Sequence, residues 1–194
     1  YKPASDKLIS IFLLELYYLF GKLRFFLDLF QSRHVAKWVQ NGFENIYATD
    51  TNKNAIIGVY KDSRRLDFQK KITLNHCDLF GDFDRKVDVI VFNPPWLLAK
   101  HNLEEGIDKA MYYEKDLFPR FFEEAKKYLK EDGKLVLIFS NLAQEVDNQS
   151  THPIIEELQK NNRFRKDLHL RREVRASSRR TQRTDSRETE KVEL

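Results

Sequence analysis

Val87-Asp88-Val89-Ile90-Val91-Phe92 runs straight into Asn93-Pro94-Pro95-Trp96. Five of the first six residues are apolar and mostly β-branched, the pattern of a strand buried on both faces. Two consecutive prolines then fix φ and remove two N–H donors, so the ladder ends there and a rigid loop begins. A strand covered on both sides belongs in a parallel sheet flanked by helices, and the flanking sequence can be read against that expectation.

Upstream, Pro3-Ala4-Ser5-Asp6 reads as a helix start, with Ser5 or Asp6 capping the first turn, and Leu8 to Leu19 as a buried helix. Residues 1–22 form a helical lead-in. Leu23 to Asp28 is a short apolar strand, and Ser32 to Asn41 a helix closed by Gly42. Asn45 to Asp50 is a second strand, Lys53 to Asp62 a short helix, and Ile72 to His76 a third strand. Downstream, Leu117 to Leu129 is an amphipathic helix closed by Glu131-Asp132-Gly133, and Lys134 to Ser140 is a fifth strand. His152-Pro153 opens a helix to about Gln159, and two last strands are expected from Phe164 to Arg171 and at Val192-Glu193-Leu194. Strand and helix alternate, which predicts an α/β, Rossmann-like, doubly wound and mostly parallel sheet of seven strands, with an antiparallel C-terminal hairpin. In such sheets ligands bind beyond the carboxyl ends of the strands.

The 194 residues fit a single domain, 1–194, and suffice for a real core. Because the chain opens on Tyr1 rather than Met, an upstream domain remains open. One cysteine, Cys77, excludes an internal disulfide and a cysteine-based zinc site, and reads as packing at a strand end. The five histidines (His34, His76, His101, His152 and His169) show no ligand spacing, so no metal is expected. Charged residues make up 33% and mean hydropathy is −0.61, which reads as soluble. The longest apolar run, Leu8 to Phe20, is broken by Ser10 and Glu15 and is too short for a bilayer, so no membrane partner and a cytoplasmic location are expected.

The net charge of +4 is uneven. From Arg163 to Leu194 there are eleven Lys or Arg against six Asp or Glu, so the remainder is close to neutral. Arg171, Arg172, Arg175, Arg179, Arg180, Arg183 and Arg187 suit phosphate contact, and RNA is the partner this segment suggests; a solvated face is the plainer alternative.

The chemistry concentrates at the prolines. Asn93 offers a side-chain carbonyl, Pro94 and Pro95 hold backbone carbonyls in place, and Trp96 offers a flat face for stacking. This set suits a planar amino group, whose delocalised lone pair makes it a poor nucleophile. Acceptors on its hydrogens draw it toward tetrahedral geometry and stabilise charge that develops during alkyl transfer.

With this motif placed after a buried strand, the chain resembles the class I S-adenosylmethionine-dependent methyltransferases, and within them the amino-methylating group with an Asn-Pro-Pro-aromatic motif. That group acts on adenine N6 or guanine N2 of RNA or DNA, or on release-factor glutamine. The resemblance implies catalytic roles for Asn93, Pro94, Pro95 and Trp96. It implies S-adenosylmethionine as cofactor, held by Asp28, Asp50, Thr51, Asp78, Leu79 and Asn93: Asp50 on the ribose, Asp78 on the adenine amino group, and Leu79 or Phe80 against the ring. Asp50 or Thr51 could equally cap the following helix, and Asp78 could be a turn residue. Pro3 to Asp6 resembles a segment that closes over cofactor or substrate. One position departs from the family: a Gly-rich turn should follow Asp28, yet Leu29-Phe30-Gln31-Ser32-Arg33 contains no glycine and the connection is short.

The resulting expectation is an enzyme, an S-adenosylmethionine-dependent N-methyltransferase acting on an exocyclic nucleobase amino group in RNA. The alternatives are a protein glutamine N-methyltransferase of the release-factor type, with a protein as substrate, or an inactive methyltransferase-like scaffold that binds RNA or a partner. The loop from Lys100 to Glu114 could form a substrate lid, with Tyr112 and Tyr113 stacking on a base or packing on the helix at Leu117.

Overall fold

The fold is that of a computed structural model, which describes residues 25–28, 32–40, 42–43, 45–99, 112–141, 144 and 151–169. The helix expected at Leu8 to Leu19, most of the lid loop and the arginine-rich segment from 170 onward lie outside the described residues. The chain divides into two compact units, residues 1–93 with 127–137, and residues 94–126 with 138–194.

The first unit contains the main sheet. Its strands are β1 (Phe25–Asp28), β2 (Ile46–Asp50), β3 (Ile72–His76), β4 (Val87–Phe92) and β7 (Leu129–Leu137), in the order β3-β2-β1-β4-β7 and all parallel. β4 lies between two neighbours, and Val87, Val89, Ile90, Val91 and Phe92 are all buried, as its apolar run requires. β3 is an edge strand with half-exposed and exposed positions, which explains its Thr, Asn and His content. Cys77 therefore follows an edge strand rather than a buried one.

Between β1 and β2 runs α1 (Ser32–Gln40). It ends in a paired cap: the Gly42 amide donates to the Val39 carbonyl at 3.0 Å and the Phe43 amide to the Trp38 carbonyl at 3.1 Å. Gly42 sits at φ 89°, where a side chain would be strained. After β2 comes α2 (Lys53–Arg65), three residues longer than expected, because Ser63 is buried along with Val59 and extends the inward face by a turn. Its N-cap is Asn52, whose side chain accepts from the Asn54 amide at 2.9 Å; neither Asp50 nor Thr51 takes that role.

Glu131-Asp132-Gly133 does not close a helix. It lies within β7 as a bulge: Val87 pairs with Leu129 but Val89 already pairs with Lys134. A Cβ at Gly133 would fall 2.7 Å from Leu129 Cγ and 3.0 Å from the Asp88 carbonyl oxygen, so only glycine fits. Lys130 Nζ, 2.6 Å from Asp88 Oδ1, ties the bulge to β4.

In the second unit, β5 (Leu97–Leu98) pairs in parallel with β6 (Tyr112–Tyr113). The helix α3 (Leu117–Tyr128) begins in this unit and ends in the first. Tyr113 is 5% exposed and packs edge-on against Phe118 and Phe139, with centroids 5.0 and 6.1 Å away, so it is a core residue and not a stacking platform for a base. α4 (Pro153–Glu156) continues as a π-helical turn over Glu157–Asn161. Glu157, 3% exposed, is held by Arg163 through two bonds of 2.6 Å and by Asn161 through a third of 2.6 Å. Burial alone would raise the Glu157 pKa, but these donors outweigh it and bring the carboxyl below its ordinary range. Phe164 packs on Phe122 at 5.9 Å, and residues 164–169 form no strand. The ion pair and this ring contact hold the segment to the unit, where the expectation was the start of a hairpin. Its remainder, like Val192 to Leu194, lies outside the described residues.

Ile90 is 0% exposed, so Ile90→Ala is expected to lower stability by about 2–5 kcal/mol in urea titration, whereas exposed Tyr60→Ala should stay within about 0.5 kcal/mol.

Candidate functional site

In the first unit the strand order sets which strand ends are neighbours. The chain winds outward from β1 through β2 to β3, then returns to place β4 on the other side of β1. The direction of winding switches between β1 and β4, and sheets of this kind bind ligands beyond the carboxyl ends of the strands at such a switch. Asp28 ends β1, Asp50 ends β2 and Asn93 follows β4 directly. Leu27 pairs with both Ala48 and Val91, so these three positions lie near one level of the sheet. With strands about 4.8 Å apart, Asp50 and Asn93 flank Asp28 across roughly 10 Å.

Asp50 is the most constrained of the set. Its Oδ1 accepts from the Asn52 amide at 2.7 Å, which closes an Asx turn and fixes the carboxylate. Burial raises its pKa above the ordinary 3.8, opposed by the Asn52 amide and by the nearby His76. A carboxylate kept partly out of water at a strand end costs the fold stability, and such groups concentrate at binding sites.

Thr51 is exposed, and its carbonyl oxygen lies 2.9 Å from His76 Nε2. Asp78 and Leu79 follow β3, beyond the edge of the sheet. Asp78 is exposed, and its carbonyl accepts from the Gly81 amide at 3.1 Å. Leu79 adopts φ 45°, a left-handed conformation that costs a branched aliphatic residue of order 1–3 kcal/mol. Phe80 does not flank a ligand: it is 1% exposed and stacked on Tyr128 at 5.0 Å. Of the two residues expected against an adenine ring, only Leu79 remains.

Asn93 is half-buried and is the last residue of the first unit. Pro94, which opens the second unit, is buried; Pro95 and Trp96 are half-buried. The motif is thus neither a fully exposed loop nor a sealed core turn. Leu29, Phe30 and Gln31, where the family's glycines are missing, lie outside the described residues, between a strand that ends at Asp28 and a helix that starts at Ser32.

The residues present fit a nucleoside cofactor. Asp50 presents a carboxylate fixed by the Asn52 amide, and Asp78 with Leu79 presents a polar group beside an apolar one at the next strand end. The pattern of strand ends and acids was readable in the sequence. The His76–Thr51 contact and the strain at Leu79 were not, because neither has a local signal.

A family model described as Eco57I restriction-modification methylase matches residues 9–174. A protein of Methanocaldococcus jannaschii, provisionally named as a protein N5-glutamine methyltransferase, is 29% identical over 113 residues, covering 55% of each chain. The release factor glutamine methyltransferase of Streptococcus pneumoniae is 27% identical over 103 residues, 48% of this chain and 36% of that protein. The chain therefore spans about a third to a half of the length of these relatives. Among solved structures, the ribosomal protein L11 methylase of Lactobacillus delbrueckii subsp. bulgaricus aligns with a TM-score of 0.60 at 19% identity, over 90% of this chain and 75% of that one. That likeness establishes the class I methyltransferase fold. The main sheet has five strands among the described residues, and the expected sixth, from Phe164, is not a strand over residues 164–169.

The raised pKa of Asp50 sets a sign for stability. The charged form is disfavoured in the fold, so the penalty is present at pH values above the raised pKa and vanishes below the ordinary 3.8. Asp50→Asn keeps an oxygen to accept from Asn52. It should raise the urea midpoint of the ligand-free chain at pH 7, and the gain should fade as pH falls toward 3.8; equal midpoints at pH 7 would contradict this account.

Proposed function

The chain belongs to the Eco57I restriction-modification methylase family, and from that membership we propose that it is an S-adenosylmethionine-dependent N-methyltransferase whose acceptor is the carboxamide nitrogen of a protein glutamine. The observation that carries the reaction class is the position of Asn93: directly after the central strand β4, half-buried, one strand away from Asp28 and two from Asp50, with two prolines following. The choice of glutamine over a nucleobase in RNA rests on the names of the curated relatives, which favour the alternative weighed in the sequence reading over its main expectation.

Asp50 would hold the cofactor ribose, Asp28 would stand beside it, and Asp78 and Leu79 would flank the adenine. Bound S-adenosylmethionine supplies a methyl group made electrophilic by a sulfonium sulfur. The protein's own contribution is alignment. The Asn93 side-chain carbonyl and the Pro94 backbone carbonyl accept from the two N–H groups of the acceptor carboxamide, and Trp96 stacks on its plane. These contacts weaken conjugation of the nitrogen lone pair and point it at the incoming carbon. As the new C–N bond forms, positive charge grows on nitrogen, and the same two oxygens stabilise it. The methylated amide cation is strongly acidic and releases its proton to water, so no dedicated base is needed. Most of the acceleration would come from proximity and orientation.

A second acceptor, a nucleobase amino group, presents the same two hydrogens. It is favoured by the restriction-modification name of the family model, which matches more of the chain than either curated relative does.

Label transfer from methyl-labelled S-adenosylmethionine to release factor, to an adenine-containing DNA duplex and to total RNA separates these acceptors. Label in the release factor alone supports the glutamine reading; label only in nucleic acid overturns it. No transfer to any of the three, with cofactor bound, would overturn the activity itself. Asn93→Ala should cut transfer by about 10²–10³-fold, while S-adenosylhomocysteine binds nearly as before in calorimetry. Transfer that persists at the wild-type rate would remove Asn93 from the acceptor site.

A further inference from the structure

His76 is the last residue of β3 and pairs in register with Asp50, the last residue of β2. Its ring reaches across to the turn that follows β2, where Nε2 lies 2.9 Å from the Thr51 carbonyl oxygen, a contact between residues 25 positions apart. A carbonyl oxygen only accepts, so Nε2 carries the hydrogen and donates. The same turn is fixed from within: Asp50 Oδ1 accepts from the Asn52 amide at 2.7 Å, and Asn52 Oδ1 accepts from the Asn54 amide at 2.9 Å. Thr51 is exposed and lies between those two internal bonds, and the His76 bond is the one that anchors it to the neighbouring strand. Without it, the peptide joining Thr51 to Asn52 could rotate, and the Asn52 amide that orients the Asp50 carboxylate would rotate with it.

We propose that His76 is a positioning residue for the cofactor: by donating Nε2–H to the Thr51 carbonyl, it locks the Asp50-Thr51-Asn52 turn and so presents the Asp50 carboxylate to the ribose hydroxyls in one orientation. The inference rests on the reading of Asp50 as the ribose-binding carboxylate. His76 touches no reacting atom; it acts on Asp50 through the turn it locks, beside the direct electrostatic influence of its ring on that carboxyl. The donor is what matters, so a side chain of similar reach that also donates should serve in its place.

The test is calorimetry on the full chain with S-adenosylhomocysteine and with its 2′,3′-dideoxy analogue. His76→Ala is expected to weaken S-adenosylhomocysteine about three- to tenfold, the effect of one lost partly exposed hydrogen bond. His76→Gln, whose Nε2 can donate from a similar distance, should recover most of the loss. For the dideoxy analogue, which gives Asp50 nothing to hold, His76→Ala and the unaltered protein should bind equally. Equal weakening of both ligands would overturn the proposal, because His76 would then support the site generally rather than through Asp50. An unchanged affinity for S-adenosylhomocysteine in His76→Ala would overturn it as well. If the unaltered protein binds neither ligand, the cofactor reading itself falls, and the inference falls with it.

Discussion

A strand hydrogen-bonded on both sides to parallel neighbours has no exposed edge and no solvated face, and β4 meets that condition with Val87, Val89, Ile90, Val91 and Phe92 all buried. The rest of the first unit is arranged around it. β1 pairs on one side, β7 on the other, and the direction of winding reverses between β1 and β4. The strand has to stop where the prolines begin, and that stop leaves Asn93 half-buried directly beyond the carboxyl end of β4. Burial of one apolar run thus sets both the centre of the sheet and the position of the polar residue that follows it.

Polar groups in the two units are handled differently. Glu157 in the second unit is almost fully buried, and Arg163 and Asn161 meet it with three short bonds, an arrangement that serves local structure. Asp50 has one amide donor, a nearby histidine and a raised pKa. A carboxylate with a single amide donor among the described residues and a raised pKa at a strand end is a local conflict with stability, and such conflicts gather where a protein binds something.

The sequence was most legible where one rule acted alone. β3 and β4 span the residues expected of them, β4 ending with its apolar run, and Gly42 closes α1 as a left-handed cap should. Legibility failed where two structures share one signal. Glu131-Asp132-Gly133 has the composition of a turn, and a bulge inside a strand uses the same residues, with Gly133 required by the approach of Leu129 and the Asp88 carbonyl. Tyr113 reads equally well as a ligand platform or as core, and Phe80 reads as a wall for the adenine ring; the aromatic clusters around Phe118 and Tyr128 claimed them. At the candidate site, Asp50 and Asn93 were visible because strand ends are visible. His76 was set aside as a scattered histidine, since its bond to Thr51 depends on the register between two strands and on no local pattern.

The pairing of β1 with β4 also governs how the chain comes to fold. Phe25 meets Val89 and Leu27 meets Val91, so the middle of the sheet joins segments separated by more than sixty residues. Closing so long a loop is entropically unfavourable until the contacts it brings together have formed. During synthesis β1 emerges long before β4 and must wait with one side unpaired. The β2–α2–β3 segment, whose partners are near in sequence, can organise first. The sheet's centre would close after that segment, once β4 has emerged, and β7 would add to it last.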